Sequence, residues 1–301
     1  MQFDRTLIAV RERSVLDILD LALQVCRLYL WPLAITMSLG AIPLAIVNYW
    51  LTNWMLPSDA EALVAGDQLV AGAVRCVWTT ILLIVIEAPL ASVLATSYLG
   101  RAMFVPAPRV RDAIREALPY VPRAALCHLL LRGVLPAWLL LLAVERGSAY
   151  SLAETLLLLL TLAVLVRRTT APFLNEILLL EKNPLQAADP QAITVSRRSR
   201  VLHGSNPSGL LVQALCVSAL AILLTLSVFG ALLSAKGIVL DDWSVRVRTF
   251  VVGVPLAMWI VAGFLAVVRF LAYIDLRIRQ EGWEVELRMR AEGSRLVEQL
   301  P

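Results

Sequence analysis

Val77 to Leu99 reads VWTTILLIVIEAPLASVLATSYL and carries one charge, Glu87. An α-helix needs about 20 mostly apolar residues to cross the hydrocarbon of a bilayer. This stretch meets that length, and the glutamate lies near its middle. Five further runs have the same character: residues 28–50, 124–144, 150–172, 208–234 and 249–273. The expectation is an all-α fold, a six-helix transmembrane bundle that fills residues 1–301 as one integral membrane domain. Composition agrees. Hydrophobic residues make up 59% of the chain, against about 45–50% in ordinary soluble domains. The mean hydropathy is +0.76.

The placement of Lys and Arg orients the runs. Four precede the first run, five lie between the second and third, six lie in 167–207 from the end of the fourth run up to the fifth, and five follow residue 275. The alternate connections hold only Arg75, Arg146, Lys236, Arg246 and Arg248, while Arg132 and Arg269 fall inside runs. Positive charge is retained on the cytoplasmic side. The expected setting is the inner (cytoplasmic) membrane with both termini in the cytoplasm. The first 27 residues are charged and the following apolar run is too long for a leader, so no signal peptide is expected. The basic pI of about 9.1 then reflects membrane orientation, and no nucleic-acid partner is expected. Trp31 on the inner side, Trp50 and Trp54 on the outer side and Trp283 in the tail are the expected interfacial anchors, since amphipathic rings favour the headgroup level.

Three segments on the cytoplasmic side have helical amphipathic spacing: 14–29, 108–118 and 184–202. The first opens with Ser14 and Asp17, the spacing of a helix cap. They are expected to be amphipathic interfacial helices in the inner headgroup plane. The segment DAEALVAGDQLVAG, within the connection 51–76, suggests a small outer helix. The fourth run meets Arg167 and Arg168, yet TTAPFLNEILLLE continues apolar to Leu180. Either the span stops near Arg167 and an interfacial segment follows, or, the favoured reading, one long helix runs on with both arginines reaching the inner interface or a polar pocket.

The tail poses a conflict. RFLAYIDLRIRQEGWEVELRMRAE, Arg269 to Glu292, alternates polar and apolar residues as a strand does. A lone hairpin is marginal in water, and no other strand is expected. Glu284 with Arg288 and Glu286 with Arg290 have favourable helical spacing. The sixth helix should run to about Gln280, break at Gly282, and be followed by a second helix from Trp283.

Chemistry has few candidates. A charge at mid-membrane costs about 2.5–3.5 kcal/mol unless paired, protonated or wetted. Glu87 and Arg132 are expected to pair across neighbouring helices or to line a site. Arg167, Arg168, Asn175 and Glu176 are the other intramembrane polar candidates. His128 reads as interfacial and His203 as a loop residue. The four cysteines lack metal-ligand or disulfide spacing and read as buried thiols. HExxH, GxSxG and phosphate-loop patterns are absent from the sequence, so no catalytic residue, metal or cofactor is expected.

Three stretches carry a family resemblance: RSVLDILDLALQVCRLYLWPL from Arg13, the ILLLE ending at Glu181 with SRRSRVLHG from Ser196, and YIDLRIRQEGWEVEL from Tyr273. Together they resemble the multi-pass membrane domain found beside bacterial glycerophosphodiester phosphodiesterases, and related bacterial membrane proteins. The catalytic barrel of the fused members has no counterpart in these residues, so the resemblance implies no hydrolase. It implies a non-catalytic membrane module, accessory or scaffolding in lipid or envelope processes. Its partners would be membrane lipid and another membrane or cytoplasmic protein. The alternative is a transporter or permease for a lipid-like or small polar solute, built on Glu87 and Arg132.

Overall fold

The computed structural model describes residues 14–56, 66–105, 108–144, 151–185, 193–204 and 207–280. Within these residues every regular element is helical. Four stretches are long and apolar enough to cross a membrane: Leu30–Met55, Val70–Ala102, Leu211–Leu240 and Val247–Arg279. A fifth arises if Val121–Leu131 and Val134–Leu142, bent by 55° at their junction, count as one span. Leu152–Thr170, which carries Glu154, Arg167 and Arg168, falls outside this set. Large apolar side chains are exposed along the helices, among them Trp31 (76%), Ile46 (63%) and Leu226 (63%). Such a surface is stable only against hydrocarbon or a partner, and the chain is a membrane protein.

Helix α1 (Val15–Leu28) starts with the expected cap. The Asp17 N–H donates to Ser14 Oγ at 3.2 Å, and Asp17 Oδ2 accepts the Ser14 N–H at 3.1 Å. Ile18 and Ala22 are buried. Tyr29 leaves helical geometry, and α2 (Leu30–Thr52) continues from it. Helix α3 (Gly66–Ala91) begins before the expected 77. The expected small outer helix is therefore, from Gly66 onward, the start of α3, while residues 57–65 lie outside the described residues. After one non-helical residue, Ser92, α4 (Val93–Ala102) follows. Then come α5 (Val110–Ala117), α6 (Val121–Leu126), a π-helical turn (Cys127–Leu131) and α7 (Val134–Leu142).

The fourth run departs from expectation. Helix α8 (Leu152–Thr170) stops, and α9 (Leu174–Leu179) is separate. Ala171 sits at φ −146°, ψ 69° because the ring of Pro172 excludes the α region for its predecessor. Both arginines lie in the last turn of α8. Helices α10 (Val195–Gly204), α11 (Pro207–Leu240) and α12 (Val247–Gln280) complete the order. Asp275 to Arg279 is helical despite its alternation, and Arg279 Nε donates to Asp275 Oδ2 at 2.8 Å one turn back. The expected second tail helix, with Trp283, lies outside the described residues.

The centre is α3, which packs on α2, α7, α8 and α12. One apolar cluster gathers α1, α4, α9, α10 and the end of α12 around Tyr98, Phe173, Phe270 and Tyr273. A second joins α2, α3, α7 and α8 around Leu83, Ile86, Leu141 and Leu157. Helix α11 lies at the rim, and none of its most apolar stretch is buried. Cys216, on α11, is exposed and Cys26 half-buried, whereas Cys76 and Cys127 are buried. The uniform buried-thiol expectation fails for Cys216 because its helix has neighbours on one side only.

Gly40 lets α2 touch the end of α3, where an added Cβ would collide with the backbone carbonyl of Ala91. Backbone cannot retreat as a side-chain tip can. Gly40→Val is expected to lower the thermal unfolding midpoint in detergent, by an overpacking cost of about 1–3 kcal/mol. Gly230→Ala, with open space around the new Cβ, should leave the midpoint unchanged or slightly raised.

Candidate functional site

Three helix breaks meet inside the bundle, and polar side chains collect around them. At the first, Pro89 withholds its N–H within α3. The chain turns at Ser92 (φ −83°, ψ 1°), whose hydroxyl donates to the Pro89 carbonyl at 2.9 Å. At the second, the Arg132 N–H reaches back to the Cys127 carbonyl at 3.2 Å, five residues away, and Gly133 takes φ +80°. A Cβ at Gly133 would also press on Leu160 and Val164 at 3.2 Å, so a left-handed, side-chain-free residue is required there. The third is Ala171–Phe173.

Side chains bridge the breaks. Asn175 Nδ2 donates to the Pro89 carbonyl at 2.7 Å, and its Oδ1 faces His128 Nε2 at 2.6 Å. An amide oxygen only accepts, so His128 Nε2 carries the proton. His128 Nδ1 is buried without a partner. Arg269 Nε donates to Glu176 Oε1 at 2.8 Å, while its Nη2 reaches Ser92 Oγ at 3.0 Å and Thr96 Oγ1 at 3.3 Å. Arg168 Nη2 donates to the Ile86 carbonyl at 2.7 Å, Arg132 Nη2 to the Ala171 carbonyl, and Arg167 Nη1 to the Leu131 carbonyl at 3.3 Å.

Glu87 stands apart from this cluster. It accepts from Asn48 Nδ2 at 2.7 Å and from Trp138 Nε1 at 2.6 Å. The expected Glu87–Arg132 pair does not form. The 55° bend at Arg132 breaks the straight helix on which that expectation relied, and the guanidinium turns to the α8–α9 break instead. The acid that meets an arginine at the breaks is Glu176, and its partner is Arg269. The signal was present: Arg269 was a second arginine inside an apolar run, and Glu176 a second acid beside one.

Both histidine expectations are corrected. His128 is 1% exposed, because the π-helical turn points it at Asn175 and not at the interface. His203 belongs to helix α10. It stacks on Phe173 at 5.5 Å, and its Nδ1 bonds the Ser199 carbonyl at 2.6 Å. Among the anchors, Trp31 (76%) and Trp50 (70%) are exposed. Trp54 instead donates to the Leu51 carbonyl at 2.7 Å, with the Arg75 guanidinium 5.3 Å above its ring. Arg75 also meets Glu154 at 2.5 Å in a buried ion pair that spacing alone did not suggest. A recess of about 320 Å³ lined by Tyr49, Trp50, Trp54 and Leu141 lies beyond Asn48 and Trp138, away from the three breaks.

Below the cluster, Glu181 ties α9, α10 and α12 together. Arg198 Nε and Nη2 donate to it at 2.6 and 2.8 Å, and the Tyr273 hydroxyl at 2.8 Å. Burial pushes the Glu181 carboxyl up. The hydrogen bonds from Arg198 and Tyr273 and the charges of Arg198 and Arg277 more than offset that, leaving it below its ordinary value.

Among the described residues no three His, Cys, Asp or Glu side chains converge as metal ligands. The cluster offers guanidinium and amide donors, one buried carboxylate on Arg269 and one unpartnered imidazole nitrogen. That is chemistry for holding backbone and negatively charged groups. Comparison with protein-family models, with curated proteins and with solved structures returned no match.

Two outcomes follow. Glu87→Leu strands the Asn48 amide and the Trp138 N–H, each at about 1–3 kcal/mol. It should lower the unfolding midpoint in detergent well below that of Glu87→Gln, which keeps an acceptor. For Glu181 the folded carboxyl lies below its unfolded value. Its stabilisation is complete above the unfolded value and lost as pH falls through the folded one. Glu181→Gln should therefore cost about 1–3 kcal/mol at neutral pH and flatten the acid limb of stability against pH.

Proposed function

We propose that the protein is a non-catalytic integral membrane module, accessory or scaffolding in lipid or envelope processes, with membrane lipid and a membrane or cytoplasmic protein as partners. In this reading six segments span the inner membrane, with α8 and the bent α6–α7 pair making up the number, and both termini lie in the cytoplasm. Helices α1, α5 and α10 lie at the inner headgroup level. The resemblance to the membrane domain beside glycerophosphodiester phosphodiesterases is part of the same proposal.

One observation carries it. The intramembrane polar groups are directed at one another and at broken backbone. Glu87 and Glu176 are both 0% exposed. A closed interior of this kind favours a module over a conduit.

A transporter is the second reading, favoured by the three breaks, since discontinuous helices are how many transporters build a mid-membrane site. Ser92, at the centre of the breaks and 1% exposed, separates the two. In a chain whose four native cysteines are replaced by alanine, Ser92→Cys is expected to resist a membrane-impermeant maleimide from both faces of sealed vesicles, and to react once denatured. Labelling of the folded protein from both faces would reveal a water-filled path and replace the module by a transporter.

A further inference from the structure

Arg132 and Arg168 are intramembrane cations that no carboxylate meets in an ion pair among the described residues. Arg132 is 5% exposed. Each gives one hydrogen bond, to the carbonyls of Ala171 and Ile86. A guanidinium carries five N–H donors, and the Arg168 Nε is buried without an acceptor. Arg269 is the third cation, and Glu176 holds it at 2.8 Å. The three guanidinium groups lie within electrostatic reach of one another. Glu87, on the neighbouring turn of α3, is directed away at Asn48 and Trp138. Three positive charges therefore face one carboxylate.

An unbalanced charge within hydrocarbon is costly. An anion recovers that cost, and the planar guanidinium fork matches phosphate oxygens two at a time. The group reaches the lipid-facing surface through Arg167. Arg167 is exposed and donates across to the Leu131 carbonyl at 3.3 Å. Around it Leu130, Leu131 and Val166 are 54%, 56% and 64% exposed. An apolar surface with guanidinium groups at and behind it suits a phosphate whose attached chains stay in the hydrocarbon.

We propose that Arg132 and Arg168, with Arg167 at the surface, form a binding site for a phosphate monoester or diester. The site rests on the membrane reading above and is indifferent to the choice between module and transporter, so the maleimide result and the binding result can fail separately.

The test uses the full chain purified in a non-ionic detergent, followed by native mass spectrometry and thermal unfolding. Four probes are compared on the unaltered protein: dioleoyl phosphatidylglycerol, dioleoylglycerol, glycerol 3-phosphate and inorganic phosphate. Phosphatidylglycerol is expected to be retained one to one and to raise the midpoint, and dioleoylglycerol to do neither. A rise of the same size with glycerol 3-phosphate or inorganic phosphate would support the site and assign it to a soluble phosphate. The double variant Arg132→Gln, Arg168→Gln should weaken binding at least tenfold, while Arg111→Gln, on the exposed face of α5, should not. No response to any phosphate-bearing probe, an equal response to phosphatidylglycerol and dioleoylglycerol, or the same loss with Arg111→Gln overturns the proposal. The probe comparison needs no variant, so misfolding of the double variant does not blunt it.

Discussion

A backbone carbonyl that loses its helical partner inside a bilayer has no water to turn to. That constraint organises this protein. Its helices break at Ser92, at Gly133 and at Ala171, and side chains supply donors around each break. Asn175 reaches Pro89, Arg168 reaches Ile86, Arg132 reaches Ala171 and Arg167 reaches Leu131. Every one of these bonds runs from one segment to another. The repair of a local defect is therefore also the tie between helices. Small-residue contacts such as Gly40 on Ala91 bring the segments near enough for the ties to close.

The same arrangement explains why the two acids differ. Glu87 is met by neutral donors, an amide and an indole, from α2 and α7. Glu176 is met by a cation, Arg269, from the last helix. Within hydrocarbon a hydrogen-bonded ion pair is far cheaper than either charge alone, and Ser92 and Thr96 accept from the guanidinium's Nη2. Farther along α12, Glu181 repeats the scheme with Arg198, Arg277 and Tyr273. The acids thus mark successive levels at which α12 is fastened to earlier parts of the chain.

The helices were legible in the sequence because length and apolarity decide a span residue by residue. The cap at Ser14 and the helical course of Asp275 to Arg279 were legible too, since their partners are three and four positions away. The site was not. Asn48 and Glu87 are separated by 39 positions, Arg168 and Ile86 by 82, and Arg269 and Ser92 by 177. Such pairings depend on which helices become neighbours, and helical periodicity is silent on that. The breaks lie between. Pro89, Gly133 and Pro172 were visible as residues, but proline and glycine occur in straight spans as well. At Ala171–Pro172 a local steric rule accounts for the stop, but the same rule holds at Ala88–Pro89, where the helix continues, so it did not decide the matter in advance.

Arg269 illustrates a consequence for the making of the protein. Translation proceeds from the N-terminus, so Ser92, Thr96 and Glu176 leave the ribosome well before it does. The last described span carries a cation that hydrocarbon resists, yet the residues that accept it have already been made when it arrives. Its entry into the bilayer is then guided by a prepared counter-charge as well as by its own apolarity. A chain truncated before α12 would keep that acid without its cation, and quality-control proteases that seek unsettled polar groups in the membrane would have a mark by which to recognise unfinished copies.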